Sequence, residues 1–143
     1  MQDVDTSQWE CVGRTANSVY FEIEPGSLLV VPDPGSMDDG NTARENQAFQ
    51  EGYFRRVGLR GVTVILFDRM VSQDKEARRI YSTQADVTLF GGAAMVSSSL
   101  LARAMVSFFM GLSRPRMPTR MFPDIPGAIA WAHEHITAIE EAA

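Results

Sequence analysis

The two histidines are the residues best suited to chemistry, but their spacing argues against a metal or catalytic site. His133 and His135 are the only histidines of the chain, and one residue separates them in a segment that we predict to be helical. Side chains at i and i+2 of a helix point to different sides, whereas a helical zinc site needs i and i+4. We therefore predict that both histidines lie on the surface and that the chain holds no metal.

The other reactive residues form no catalytic set either. Cys11 is the single cysteine and has no nucleophile signature around it, so we expect a buried or structural thiol. Asp38 and Asp39 precede a predicted helix, where carboxylates usually cap the helix and interact favourably with its dipole. Gly91 and Gly92 match no phosphate-binding loop. The sequence therefore predicts a protein that is not an enzyme and that uses no cofactor.

Length and composition predict one globular domain. A chain of 143 residues with 45% hydrophobic residues can bury a core without metal or disulfide support. We expect a flexible lead-in over residues 1–10 and a single domain over residues 11–143. One cysteine, no signal-peptide pattern and no apolar run long enough to span a membrane favour a cytoplasmic location. The net charge of −5 argues against binding to nucleic acid.

Strands and helices are predicted to alternate along the chain. Two β-like runs, 18–24 and 28–31, flank Pro25-Gly26, a pair suited to the centre of a type II turn, so we predict a hairpin. Behind it the order is α-β-α-β-α-β-α, in which right-handed crossovers favour parallel strands. The sequence thus predicts an α/β fold with a mostly parallel sheet of about five strands, an N-terminal antiparallel hairpin and about four helices.

Helix boundaries are predicted from capping residues. Thr42 and Glu45 fit a capping box at the start of the first helix, and Gly58 fits its C-terminal end. Ser72 fits the N-cap of the second helix. The third helix is predicted over 100–112. The apolar run 62–67 is typical of a central strand, short strands are predicted at 93–96 and 119–122, and Asp124 fits the N-cap of the fourth helix.

The third predicted helix is the first candidate interaction surface. It is apolar almost all the way round, and its side chains Met105, Phe108, Phe109 and Leu112 are of the kinds found at adaptable interfaces. A helix of this type is either buried in the core or covered by a partner or ligand. Both interpretations remain open from the sequence.

An arginine-rich loop follows that helix and is the second candidate. Arg114, Arg116 and Arg120 stand within seven residues of one another in an acidic protein. Such a cluster could bind an acidic partner or an anionic headgroup. The alternative is a solvated loop whose arginines have no partner.

Five segments carry a likeness to a known family: 72–78, 104–112, 114–115, 118–122 and 127–131. Through them the sequence from Val71 onward resembles a bacterial subfamily of the STAS domains, the fold of the anti-sigma-factor antagonists. The broader group is also likened to the lipid-carrying CRAL-TRIO domains. The resemblance implies a regulatory or scaffold domain without catalytic activity.

The resemblance also points to Ser72. In the antagonists, a partner kinase phosphorylates a serine at the start of the helix that follows the central strand, and Ser72 stands at the matching position. The Asp-Ser-Ser-Gly type of signature is missing, and the sequence there is Met-Val-Ser-Gln-Asp. Ser72 is therefore a weak candidate for a phosphorylation site, and a helix-capping role is favoured.

Two functions remain compatible with these patterns. The leading hypothesis is a regulatory or scaffold domain that acts through protein–protein contacts and self-associates, most simply as a homodimer. The alternative is a carrier or sensor of a lipid or another apolar small molecule, in which the third helix would line a cavity and the arginine loop would meet an acidic headgroup.

Overall fold

The computed structural model describes residues 5–104 and 116–139, in which strands and helices alternate. The helices are α1 (Gly40–Val57), α2 (Lys75–Thr83), α3, which begins at residue 100 and is described to residue 104, and α4 (Ile125–His135). The strands are β1 (Glu10–Arg14), β2 (Ser18–Glu24), β3 (Ser27–Pro32), β4 (Ser36–Asp38), β5 (Leu59–Leu66), β6 (Met70–Gln73), β7 (Phe90–Val96), β8 (Thr119–Phe122) and β9 (Thr137–Ala138).

Seven of these strands form one mixed sheet. Its order is β1-β2-β3-β5-β7-β8, and β9 pairs with the beginning of β5. β1, β2 and β3 are antiparallel neighbours, whereas β3, β5, β7 and β8 run parallel. This arrangement confirms the predicted α/β fold with an N-terminal antiparallel hairpin. β1, β9 and a separate parallel pair of β4 and β6 are additions that the sequence pattern does not show.

The two faces of the sheet carry separate apolar cores, because side chains alternate along each strand. In β5, Val62 and Val64 point to the face covered by α4, whereas Thr63 and Ile65 point to the face covered by α1 and α2. The α4 core also contains Leu29, Leu66, Ala94, Val96, Phe122, Ala128 and Ala132. The α1 core contains Tyr20, Leu28, Val30, Tyr53, Phe54, Ala85, Leu89 and Phe90.

Two glycines predicted at turns have the left-handed backbone that their positions require. Gly26, between β2 and β3, has a φ of 90°, and Gly58, at the end of α1, has a φ of 74°. The Gly58 N–H donates to the carbonyl of Phe54 at 2.9 Å, which closes the helix. The predicted hairpin turn and the predicted end of the first helix are both confirmed.

The first helix begins earlier than predicted. Its N-cap is Asp39, whose carboxylate accepts from the Thr42 N–H at 2.9 Å, while the Thr42 hydroxyl accepts from the Asp39 N–H at 2.8 Å. Thr42 is therefore the third helical residue of the capping box rather than its cap. Glu45 accepts from the Ala16 N–H instead of reaching back along the helix. An aspartate three residues before a threonine satisfies the same box, so the chain becomes helical one turn sooner.

Ser72 does not cap the second helix. It lies in β6, where its backbone pairs with Met37 of β4, and this pairing keeps residues 70–73 extended. The cap is Asp74, which accepts from the Ala77 N–H at 2.8 Å. Aspartate and serine cap helices about equally well, so the long-range pairing of β6 decides between them.

β1 is an edge strand with an irregular backbone. Its register with β2 shifts between Cys11 and Gly13, which marks a β-bulge. Cys11 is exposed, so the expectation of a buried thiol is wrong. The physical reason is its place in the outermost strand, which has a neighbouring strand on one side only.

Candidate functional site

A cavity of about 820 Å³ lies between α2 and the parallel strands. This volume falls within the range of pockets that hold small molecules and cofactors. The strands form its floor, α1 and α2 form two of its walls, and β6 lies at its mouth. Among the described residues, its apolar lining includes Val30, Pro32, Ile65, Phe67, Met70, Val71, Ala85, Phe90, Ala93, Met95, Ala102 and Met117.

The cavity exists because α2 packs against α1. Ala77 and Ile80 of α2 contact Ala43 of α1 in a small buried cluster. The floor beneath α2 therefore keeps solvent-accessible area, and Ile65 and Met95 are only half-buried although they belong to two central strands. Half-buried apolar side chains in the middle of a sheet leave room for an apolar occupant.

One end of the cavity is polar and centres on a buried carboxylate. Asp38, at the end of β4, is 4% exposed. Its Oδ2 accepts from the Tyr81 hydroxyl at 2.8 Å and from Gln73 Nε2 at 3.3 Å, and its Oδ1 accepts from the Thr42 hydroxyl. Strand β4, strand β6 and both helices thus hold this one carboxylate in place.

A second layer of polar side chains lies behind Asp38. Asn46 of α1 donates from Nδ2 to the side-chain oxygen of Asn17 at 2.9 Å and to the Tyr81 hydroxyl at 3.3 Å. The Tyr20 hydroxyl donates to Asn46 Oδ1 at 2.8 Å and accepts from Gln50 Nε2 at 3.4 Å. Each of these groups is held by more than one strand or helix, so the polar end is a pre-formed network.

The two tyrosines remain neutral across the physiological pH range. Burial raises the pKa of Tyr20 to about 12. Burial, reinforced by the negative charge of Asp38, raises the pKa of Tyr81 well above its usual value. Both phenols therefore stay protonated, and Tyr81 serves as a hydrogen-bond donor to the carboxylate.

Cationic side chains also line the cavity. Lys75, Arg78 and Arg79 belong to the exposed side of α2. The Arg78 guanidinium donates to the carbonyl of Gln73, and Arg79 lies 3.9 Å from the carboxylate of Glu76. These charges are largely solvated, in contrast to the buried charge of Asp38.

Of the predicted cationic loop, the structure describes Arg116 and Arg120, and it places these two on different faces of the sheet. Arg116 donates to the carbonyls of Thr83 and Ala85 at 3.3 and 3.2 Å, where it closes the end of α2. Arg120 stacks over the Phe122 ring at 4.9 Å, on the α4 face of the sheet, and so points away from the cavity. Met105, Phe108, Phe109, Leu112 and Arg114 lie outside the described residues.

Ser72, the candidate phosphorylation site, is exposed and lines the cavity mouth. It stands two residues before the Asp74 cap, so its hydroxyl is not at the helix terminus. The prediction that a kinase modifies Ser72 remains a prediction.

The histidines lie on the far side of the molecule from the cavity. His133 contacts the carboxylate of Glu24 at 2.8 Å, and His135 stacks on Trp131 with ring centroids 4.1 Å apart. Within residues 5–104 and 116–139, no three His, Cys, Asp or Glu side chains are grouped as metal ligands.

Sequence reasoning did not identify the polar end of the cavity. It placed Asp38 among capping residues. The sequence of α1 did contain a signal, since Asn46 and Gln50 share the helix face of Tyr53. Polar side chains on a buried face need polar partners, so this pattern indicates a buried polar network.

The order of strands and helices defines the class of protein. A solved structure of an uncharacterised protein of the DUF3478 family from Shewanella loihica PV-4, described as having a SpoIIAA-like fold, matches 84% of this chain and 88% of that chain with a TM-score of 0.53. At 11% sequence identity the likeness concerns the fold alone. The chain thus has a SpoIIAA-like fold, which confirms the resemblance to STAS domains at the level of fold.

The family follows from the sequence. Residues 61–136, more than half of the chain, match the model of the Domain of unknown function (DUF7793), and the chain belongs to this family. No curated protein matches it. None of the helices in the described ranges is long and apolar enough to cross a membrane.

Proposed function

We propose that this protein binds an amphipathic small molecule in the cavity beneath α2 and acts as a carrier or sensor of that molecule rather than as an enzyme. The observation that carries the proposal is a cavity of about 820 Å³ with an apolar floor and one pre-formed polar end. A binding site of this type takes its affinity from the apolar walls and its orientation from a few fixed polar groups.

The geometry favours the small-molecule hypothesis in a modified form. Arg116 and Arg120, the two arginines of the predicted cationic loop that the structure describes, offer no cavity site for an acidic headgroup, since Arg116 donates to carbonyls at the end of α2 and Arg120 lies on the opposite face. The polar end of the cavity is instead formed by Asp38 and the side chains around it.

Native mass spectrometry of the protein as purified tests the proposal. We expect a population that is heavier than the chain by a few hundred daltons and that loses this mass under denaturing conditions. After extraction of the ligand the melting temperature should fall, since a ligand that binds only the folded state stabilises it. A clean ligand-free mass, together with no binding of the neutral apolar dye Nile red, would count against the proposal.

Self-association is a second candidate function, favoured by exposed apolar side chains around the cavity mouth. Leu100 and Leu101, at the start of α3, are 75% and 71% exposed, and Met37 and Val71 are similarly accessible. Met37 and Val71 stand on the paired strands β4 and β6, and the Ser98 N–H donates to Asp68 at 2.9 Å, which ties the start of α3 to the segment that leads into β6. A second copy of the chain is a natural partner for such a patch.

Light scattering after size-exclusion chromatography tests this second candidate. We expect a dimer mass for the unmodified protein and a monomer mass for the double variant Leu100→Glu/Leu101→Glu. Glutamates in the first turn of a helix interact favourably with its dipole, so α3 should be retained. Ala130→Glu, on the exposed side of α4, is the matched control and should remain dimeric. A monomeric unmodified protein would contradict the self-association candidate.

A further inference from the structure

We propose that the cavity selects ligands that carry a protonated amine at one end, and that the Asp38 carboxylate binds that amine. This inference rests on the proposed function and gives the ligand a chemical class: an apolar molecule with a terminal ammonium group. Its starting point is that a buried acid, Asp38, lines a cavity whose described surface is largely apolar.

Asp38 is a buried charge without a compensating cation. In the part of the chain that the structure describes it forms no ion pair. Its donors are the neutral groups of Tyr81, Gln73 and Thr42. Burial of an uncompensated charge is costly, and an incoming cation relieves that cost.

The Asp38 carboxylate also has room for another donor. An ionised carboxylate has about four lone-pair positions, and three donors are present. Two of the three are on Oδ2, so the free position lies on Oδ1, which accepts only from Thr42 among the described residues. An ammonium group, with three N–H donors, can use this position.

The cationic side chains of the cavity do not reverse this preference. Lys75, Arg78 and Arg79 are exposed, and exposed charges in water attract a ligand weakly. The charge of Asp38 acts in a desolvated environment, where the same attraction is stronger. The buried acid therefore determines the charge of the ligand group that enters the cavity.

Displacement of Nile red by a matched series of ten-carbon compounds tests the inference. Decylamine, decanol and decanoate share one apolar chain and differ in the end group, and an alkylamine, like lysine, is protonated at neutral pH. We expect decylamine to displace the dye at a concentration lower by about tenfold than decanol and decanoate, as for a charge-assisted hydrogen bond in a buried site.

Variants assign the preference to one residue. Asp38→Asn should remove the advantage of decylamine over decanol. Glu134→Gln, on the exposed surface of α4, removes the same charge away from the cavity and should keep the advantage. Tyr81→Phe removes one donor from Asp38, so it should keep or increase the advantage. If Asp38→Asn does not fold, the advantage of decylamine in Tyr81→Phe, compared with that in the unmodified protein, tests the inference.

The outcomes separate the two proposals. Equal displacement by decylamine and decanol, or stronger displacement by decanoate, would overturn the amine inference and leave the small-molecule proposal intact. An advantage of decylamine that survives in Asp38→Asn would also overturn it. Absence of Nile red binding to the unmodified protein would contradict the proposed function itself.

Discussion

Replacement of Gly61 by alanine is expected to destabilise the protein by about 2–3 kcal/mol, the upper range for forcing a methyl group into a well-packed core. Gly61 lies in β5 where α1 crosses the sheet. A Cβ atom at this position would be well inside van der Waals contact with the Phe54 ring and with the carbonyl oxygen of Gly26. That oxygen accepts from the Val62 N–H at 2.9 Å, so it cannot move away without losing a sheet hydrogen bond.

The Phe54 ring has no freedom to adapt either. It is fully buried and packs edge-to-face against Phe90, with ring centroids 5.3 Å apart. The strain of Gly61→Ala must therefore spread into the backbone of β5 and α1. Urea unfolding, monitored by circular dichroism, measures the loss in the free energy of unfolding.

Gly52→Ala is the matched control. Gly52 lies inside α1, and an added Cβ would meet nothing within 4 Å. Alanine is a better helix former than glycine, so this variant should stabilise the protein by about 0.5–1 kcal/mol. Equal effects of the two substitutions would show that the contact between α1 and β5 differs from the one described.

Replacement of Ala93 by phenylalanine is expected to weaken Nile red binding by at least about tenfold, since a benzyl group would occupy the volume that the ligand needs. Ala93 lies on the cavity floor between Thr63 of β5 and Thr119 of β8. The new ring would enter open space, so we expect little change in the free energy of unfolding. Fluorescence titration and urea unfolding of the same sample measure both quantities.

Ala130→Phe serves as the control for this variant. It adds the same ring to the exposed side of α4, on the other face of the sheet, and should bind Nile red as the unmodified protein does. If Ala93→Phe also binds the dye unchanged, the dye does not occupy this cavity and the proposed function loses its main support.

The sequence predicted the frame of the fold because local signals were strong there. The run 62–67 has the continuous β-branched composition of a covered strand, and it forms most of β5, between β3 and β7. Gly26 and Gly58 stand at positions where the backbone needs a positive φ to close the turn. In such segments the residue type alone restricts the backbone, so no knowledge of distant contacts is needed.

The sequence predictions were wrong where contacts between distant segments determine the local structure. Ser72 and Asp74 are both good helix caps, and the pairing of β6 with β4 selects the second. That pairing joins segments more than thirty residues apart, as in the register of Asp38 with Gln73. A short parallel bridge of this kind has no pattern of its own in the sequence.

The candidate site could not be predicted for the same reason. Asp38 and Tyr81 are 43 residues apart and come together only because α2 packs on α1. The cavity is a consequence of that packing, since it leaves the floor under α2 partly uncovered. Residue types indicated what each side chain could do, but not that the two would meet.

The bulge in β1 has a consequence for how copies of the chain can associate. An unpaired edge strand offers its free backbone groups as a template for another strand, which leads to edge-to-edge aggregation. The register shift between Cys11 and Gly13 interrupts that template, and the charged residues Glu10 and Arg14 stand at its two ends. Growth of the sheet from this edge is thereby discouraged, so association of intact copies would have to use another part of the surface.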